Sequence, residues 1–181
     1  MTLSLRFPFA PVLPAAFLAG CACTPSVTAP DVPPALLPPP GQVAFLAALA
    51  SGVQVYECAS KSDGSGAHEW TFRAPEATLT DRSGRLLGRH RAGPTWESTD
   101  GSTVVAQVKA RDAGPSASAI PWLLLVTTST TGTGTFGETA SIQRVKTVGG
   151  VAPAEPCGQA NLGKMARVPY SATYYFYRAA P

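Results

Sequence analysis

The chain is poor in the side chains that most enzyme and nucleic-acid sites use. Only two histidines occur in 181 residues, the charged content is 14%, and the net charge of +3 includes no cluster of Lys and Arg. A nucleic-acid partner requires a concentrated basic face. A nucleophile elbow G-x-S-x-G and a redox C-x-x-C pair are both missing from the sequence. These absences exclude nucleic-acid binding and the two corresponding enzyme classes, and we predict no cofactor.

A metal site is also not predicted. His68 and His90 do not have the paired spacing of zinc ligands. A site built from the two histidines with Glu97 and Asp100 would require several loops to converge. Two surface histidines are the simpler interpretation.

The N-terminus has the pattern of a lipoprotein signal. Residues 1–20 carry one Arg, no acid and an apolar run from Phe7 to Leu18, which is too short for a membrane-spanning helix and typical of a secretory signal. Leu18-Ala19-Gly20-Cys21 matches a lipobox, so we expect Cys21 to be acylated. Because Ala22 follows Cys21 rather than Asp, the pattern favours the outer membrane of a didermal bacterium. A chance Cys after an ordinary signal peptide is the alternative.

A proline-rich segment follows this signal. Seven of the residues between Thr24 and Pro40 are prolines, a composition that favours extended polyproline geometry and cannot build a core. We interpret residues 21–40 as a tether and residues 41–181 as a single β-domain.

The remaining sequence predicts an all-β fold. With 18 Pro and 17 Gly the chain is frequently interrupted, which favours short strands over long helices. Alternating patterns occur, for example, from Thr103 to Ala110 and from Val168 to Arg178. The apolar spacing from Gln42 to Ala50 predicts one short N-terminal helix. We therefore expect an antiparallel β-sandwich or small β-barrel of about eight strands.

Two of the four cysteines are left for the folded domain. If Cys21 is acylated and Cys23 lies in the tether, Cys58 and Cys157 remain. In an oxidising envelope compartment these two are expected to form a disulfide. The bond would close a loop of about a hundred residues and contribute about 4 to 5 kcal/mol in the chain-entropy model.

The candidate site centres on the segment Gly88–Glu97 and the turn Thr99–Ser102. We interpret the segment as a corner between strands that holds its polar groups out of the core. In a binding interpretation, Trp96 and Trp122 form an aromatic platform with His90 and Glu97 as polar groups beside it. In a catalytic interpretation, His90 acts as acid or base with Glu97 or Asp100. A purely structural corner, with Asp100 and Ser102 capping the turn, is the third possibility.

One further motif is discounted. Gly132–Gly137 fits the dinucleotide fingerprint G-x-G-x-x-G, but that fingerprint requires a following helix. Residues 138–147 alternate like a strand, so a hairpin loop is expected.

A succession of short motifs from Val53 to Arg178 resembles a known family. The motifs are Tyr56-Glu57-Cys58, Trp70-Thr71-Phe72, Gly88 with His90, Gly93-Pro94-Thr95-Trp96, Asp100-Gly101-Ser102, Ile120-Pro121-Trp122-Leu123-Leu124, Ile142-Gln143-Arg144-Val145 with Thr147 and Gly149-Gly150, Cys157, and Tyr174-Tyr175-Phe176-Tyr177. They resemble the bacterial and fungal family called domain of unknown function 3455. The resemblance implies secretion and a common fold but no chemistry. It gives weight to Cys58, His90, Trp96, Asp100, Trp122, Arg144 and Cys157.

The sequence thus favours a lipid-anchored envelope protein that binds a small molecule or an envelope component through a loop-built aromatic pocket, with ligand contacts at His90, Trp96, Trp122 and Arg144. An enzyme using His90 with Glu97 or Asp100, and a passive structural lipoprotein, are the alternatives. The first predicts an aromatic cavity, the second a carboxylate beside His90, and the third a solid core.

Overall fold

The computed structural model describes residues 27–181. The predicted signal peptide, the acylation site at Cys21 and the first residues of the tether lie outside this range. The described chain forms eight strands and two short 3-10 helices, η1 and η2. The strands are β1 (Gln42–Ser60), β2 (His68–Thr80), β3 (Leu86–Arg91), β4 (Thr95–Ser98), β5 (Thr103–Asp112), β6 (Trp122–Thr131), β7 (Ser141–Gly149) and β8 (Met165–Ala179), with η1 at Pro34–Leu36 and η2 at Gln159–Asn161.

The strands form one closed antiparallel barrel in chain order. Each strand pairs with the next, and the 19-residue β1 closes the ring by pairing with both β2 and β8. Ala50, for example, lies opposite Leu79 on one side and Ala172 on the other. The predicted all-β antiparallel fold with about eight strands is therefore confirmed, and of the two architectures the barrel is the one adopted. Within residues 27–181, no helix is long and apolar enough to cross a membrane.

The prediction of a helix at Gln42–Ala50 is wrong. These residues form the first half of β1. A register shift between Ala44 and Leu46 interrupts the alternation, and both faces of the segment contact apolar groups. Ala48 and Ala50 belong to the barrel core, whereas Ala44 and Ala47 pack against a second cluster outside it. A strand that is apolar on both faces and contains a bulge loses the period of two, and its pattern then resembles a helix.

That second cluster exists because residues 27–37, here called the N-terminal strap, lie along the outer surface of the barrel. Val27 and Val32 pack against Val145, Tyr175 and Tyr177. Helix η1 contacts β5 and β6. This part of the proline-rich segment is therefore packed against the domain, and only the remainder is available as a spacer.

The strap is fixed by one buried amide. Gln143 is fully buried, and its Nε2 donates to the carbonyl oxygen of Leu36 at 2.7 Å. The hydroxyl of Tyr177 donates to Oε1 of the same Gln143 at 2.5 Å. Because both ends of the amide are satisfied, the polar side chain can be buried at little cost.

The predicted disulfide is confirmed. Cys58, near the end of β1, is bonded to Cys157 in the loop between β7 and β8, 99 residues away in sequence. The same loop is held by Trp70, whose Nε1 donates to the carbonyl oxygen of Glu155 at 2.9 Å. The bond thus fixes the long β7–β8 loop to one end of the barrel.

The strap should contribute measurably to stability. Leu36 is 0% exposed whereas its neighbour Leu37 is 55% exposed, so the two residues form a matched pair. We expect Leu36→Ala to lower the free energy of unfolding by about 2 to 5 kcal/mol, and Leu37→Ala by less than about 0.5 kcal/mol, as measured by denaturant titration. Equal effects of the two substitutions would show that the strap does not stabilise the barrel.

Candidate functional site

The hairpin of β3 and β4 carries the central residues of the site. His90 and Trp96 face each other across the hairpin, and both belong to the barrel interior, with exposures of 3% and 0%. Gly93, with φ of +91°, allows the tight turn between the two strands. The expectation that the polar groups of this segment are held out of the core is therefore wrong for His90.

His90 is buried as a neutral imidazole. Its Nδ1 lies 3.0 Å from the carbonyl oxygen of Thr95. Because a carbonyl only accepts hydrogen bonds, Nδ1 carries the proton and Nε2 is left as an acceptor. Burial lowers the pKa of His90 to about 3, and the charge of Arg144 acts in the same direction, although the bond to Thr95 opposes the shift.

An aromatic column runs through the interior from His90. The ring of His90 stacks on that of Trp96, with centroids 4.3 Å apart and an interplanar angle of 10°. Tyr174 lies edge-on to both rings, and Trp96 in turn contacts Phe176 edge-on at 6.3 Å. Phe176 stacks on Phe136 at 4.7 Å. Such offset and edge-to-face pairs are the favourable arrangements of aromatic rings.

Phe136 closes one end of the barrel. It lies in the β6–β7 loop, where the G-x-G-x-x-G match forms a hairpin loop as expected. Asp100 holds this loop, because Oδ2 accepts from the Thr135 backbone N–H at 2.7 Å and from its hydroxyl at 2.6 Å. Oδ1 accepts the N–H and hydroxyl of Ser102. These four donors lower the pKa of Asp100.

The opposite end of the barrel opens into a cavity of about 290 Å³. Phe72, Arg73, Val108 and Arg111 are exposed at its mouth. Its deeper lining includes the following buried or half-buried side chains: Gln54, Tyr56, His90, Trp96, Ile120, Leu123, Leu125, Arg144 and Tyr174. The site is therefore built mainly from strands rather than from loops.

Arg144 is the half-buried cation of this cavity. Its Nε and Nη2 donate to the carbonyl oxygen of Pro121 at 3.1 and 2.8 Å. No carboxylate within residues 27–181 forms an ion pair with it. Its positive charge also lowers the pKa of Tyr174, although burial raises that pKa more strongly.

Several buried polar groups at or below the cavity floor form no well-aligned hydrogen bond, although the hydroxyl of Tyr170 lies beside Gln54 and that of Tyr174 beside Arg144. They are Nε2 of Gln54, Nε1 of Trp96 and the hydroxyls of Tyr170 and Tyr174. Gly150 permits this crowding, because a Cβ there would lie 2.8 Å from the Cβ of Tyr170 and 3.0 Å from Cγ of Gln54. The carbonyl oxygen of Gly150 accepts the hydroxyl of Tyr56 at 2.7 Å.

The structure does not bring the acid–base candidates together. Glu97 follows Trp96 in β4 and therefore lies on the outer face, where it forms an ion pair with Arg91. Asp100 belongs to the closed end described above. No carboxylate lines the cavity beside His90.

The second tryptophan of the predicted platform also lies elsewhere. Trp122 precedes the cavity-lining Leu123 and faces outward, where it packs with Tyr175 and Tyr177. His68, at the start of β2, lies opposite Ser60 and away from His90. No group of three or more His, Cys, Asp and Glu side chains in the described chain is placed to hold a metal.

Sequence reasoning named His90, Trp96 and Arg144 but missed Gln54, Tyr56 and Tyr174 as lining residues. The signal for Tyr174 was present, because Tyr170, Ala172, Tyr174 and Phe176 share one face of β8 as the alternation predicted. Gln54 and Tyr56 share a face with each other in β1, but no pattern identifies that face as the interior.

The buried neutral state of His90 predicts an acid-dependent loss of stability. Since the pKa is about 3 in the folded chain and 6.5 in the reference state, protons bind preferentially to the unfolded chain between these values. Stability is complete above about pH 6.5 and decreases as the pH falls towards 3. His90 should contribute up to about 1.4 kcal/mol per pH unit to this decrease.

Replacement of the His90 imidazole tests this predicted loss of stability at low pH. His90→Phe should flatten the dependence of unfolding free energy on pH over that window, as measured by denaturant titrations at successive pH values. His68→Gln, at the partly exposed start of β2, is the matched control. Parallel curves for the wild type and His90→Phe would contradict the buried neutral assignment.

Comparison with known proteins identifies the family. No curated protein and no solved structure matches the chain. A family model described as "Protein of unknown function (DUF3455)" matches residues 39–178, a range that runs from just before β1 almost to the end of β8. The chain therefore belongs to the DUF3455 family of proteins of unknown function.

Proposed function

We propose that this protein binds a small molecule in the barrel cavity and is held at the cell envelope by a lipid anchor on Cys21. The observation that carries the binding proposal is the cavity of about 290 Å³, open at one end and bounded by buried polar side chains. This volume lies near the lower end of the range of small-molecule sites, roughly 300 to 1,000 Å³. A few polar groups among apolar walls are typical of such sites.

The asymmetry of the barrel supports this proposal over a passive structural role. At the closed end, the carboxylate of Asp100 accepts four hydrogen bonds and the ring of Phe136 is fully buried. At the open end, by contrast, a cavity reaches inward to Trp96 and Tyr174, and Arg144 lines it with no carboxylate beside it. A protein that needed only a stable core gains nothing from a cavity that holds an uncompensated charge.

The acid–base alternative has less support. A general base must lie within reach of the proton that it transfers, and its pKa should be close to the working pH. His90 has no carboxylate beside it, and burial lowers its pKa to about 3. Glu97 and Asp100 already have partners outside the cavity.

The lipid anchor is proposed from the lipobox Leu18-Ala19-Gly20-Cys21. If Cys21 becomes the acylated N-terminus, only five residues separate it from Val27, where the described strap begins. The six steps from one residue to the next span at most about 22 Å. The strap would then hold the barrel close to the bilayer surface, with the outer membrane as the proposed location.

Occlusion of the cavity mouth tests the binding proposal. Val108 lines the mouth and is 36% exposed, whereas Val148 is 65% exposed and lies away from it. We expect a thermal-shift panel of indole, benzyl alcohol and benzoate to contain at least one binder of the wild type. Val108→Trp should weaken that binding at least tenfold by calorimetry, and Val148→Trp should leave it unchanged. Equal binding by both variants, or no binder at all, would refute the proposal.

Labelling of the full chain in a didermal bacterium tests the anchor. Cys21→Ser should abolish incorporation of an alkynyl fatty acid and shift the protein from the membrane fraction to the soluble fraction, because the acyl chains supply the membrane affinity. Cys23→Ser is the matched control and should remain labelled. Retention of label in Cys21→Ser would show that the lipobox assignment is wrong.

A further inference from the structure

The charge of the cavity restricts the kind of molecule that it can hold. Its lining contains Arg73, Arg111 and Arg144 but no Asp or Glu. Arg73 is exposed at the mouth and pairs with Glu57 at 2.9 Å. Arg111 is exposed as well, so Arg144 is the cation that reaches into the protein. Since His90 is neutral, the positive charge of Arg144 has no counter-charge within the cavity.

The hydrogen bonds of Arg144 leave part of its guanidinium unused. The carbonyl oxygen of Pro121 accepts from Nε and Nη2, and this contact fixes the plane of the group. A guanidinium has five N–H donors in one plane, so Pro121 leaves three, two of them on Nη1, with the hydroxyl of Tyr174 nearby as a neutral acceptor. This planar arrangement fits the two oxygens of a carboxylate.

The cavity walls set the rest of the ligand. The unpartnered atoms of Gln54, Trp96 and Tyr174 are buried beneath the cavity surface, so a ligand does not reach them. Nε2 of His90 is an acceptor, and a tyrosine hydroxyl can both donate and accept. A ligand that satisfies Arg144 must therefore bring acceptor atoms, together with an apolar body for the walls formed by Ile120, Leu123 and Leu125.

We propose that the ligand is a small organic monocarboxylate whose carboxylate pairs with Arg144 and whose apolar body lies against the inner walls of the barrel. The inference rests on the proposed binding function and deepens it by naming the ligand class. One half-buried cation balances one negative charge, which favours a carboxylate over a phosphate dianion.

Three probes of similar shape separate the possibilities. Calorimetry with benzoate, benzyl alcohol and phenyl phosphate compares a carboxylate with a neutral and a more highly charged head group on the same ring. We expect the wild type to bind benzoate at least tenfold more tightly than benzyl alcohol, and the preference to shrink as the salt concentration rises. Tighter binding of phenyl phosphate than of benzoate would overturn the choice of a carboxylate.

Two variants that each remove one positive charge test whether Arg144 is the residue that pairs with the carboxylate of the ligand. Arg144→Gln should remove the preference for benzoate over benzyl alcohol. Arg178→Gln changes the net charge equally, but Arg178 lies outside the cavity in an ion pair with Glu138, so this variant should keep the preference. Full preference in a folded Arg144→Gln would overturn the role of Arg144. If that variant does not fold, the salt dependence and the probe comparison in the wild type decide, together with retention of the preference by Arg144→Lys.

The outcomes separate this inference from the binding function on which it rests. Equal affinity for benzoate and benzyl alcohol would refute the carboxylate assignment and leave cavity binding intact. No binding of any of the three probes would refute the carboxylate assignment, and if indole did not bind either, the proposed cavity binding would be refuted as well.

Discussion

The pairing of β1 with two neighbours at once is the constraint on which the rest of the structure depends. Its 19 residues are bonded to β2 on one side and to β8 on the other, and this removes the unpaired edges that an open sheet would have. Closure fixes which side chains face inward, so that His90, Trp96 and Tyr174 are kept away from water. The low pKa of His90 follows from this burial. The disulfide adds to the same constraint by attaching the β7–β8 loop to the end of β1.

The fold class could be predicted from the sequence because apolar and polar residues alternate in most strands. The prediction of secondary structure failed where the alternation does not reflect which side chains are buried. The strand β8 was recognised because its residues alternate regularly between two faces, although both faces pack against other parts of the protein. The first half of β1 was misread because its inner alanines face the core while Ala44 and Ala47 face the strap. A sheet covered on both sides loses the polar face that marks a strand. The strap itself could not be foreseen, because a proline-rich composition indicates extended geometry without indicating a surface on which to pack.

The same ambiguity limited what the sequence could say about the site. His90 and Arg144 were singled out as ligand-contact residues, His90 from its own sequence neighbourhood and Arg144 through the family resemblance, and both line the cavity. Which of the two tryptophans would line the cavity depended on parity, that is, on whether its position in the strand faces into or out of the barrel. Trp96 is at an inward position of β4, whereas Trp122 is one residue out of phase with Leu123 and therefore faces the strap. Parity is set by barrel register, which only the pairing of all eight strands determines.

The two ends of the barrel show how charge is handled differently within one fold. At the closed end, the negative charge of Asp100 accepts four hydrogen bonds, and its loop brings Phe136 into the core. At the open end, the positive charge of Arg144 meets the carbonyl oxygen of Pro121 and the hydroxyl of Tyr174, both of which are neutral, and no carboxylate lines the cavity. An isolated charge at a half-buried site costs free energy unless it is compensated. The carboxylate ligand proposed for the open end would supply that compensation, whereas the groups that compensate Asp100 come from within the chain.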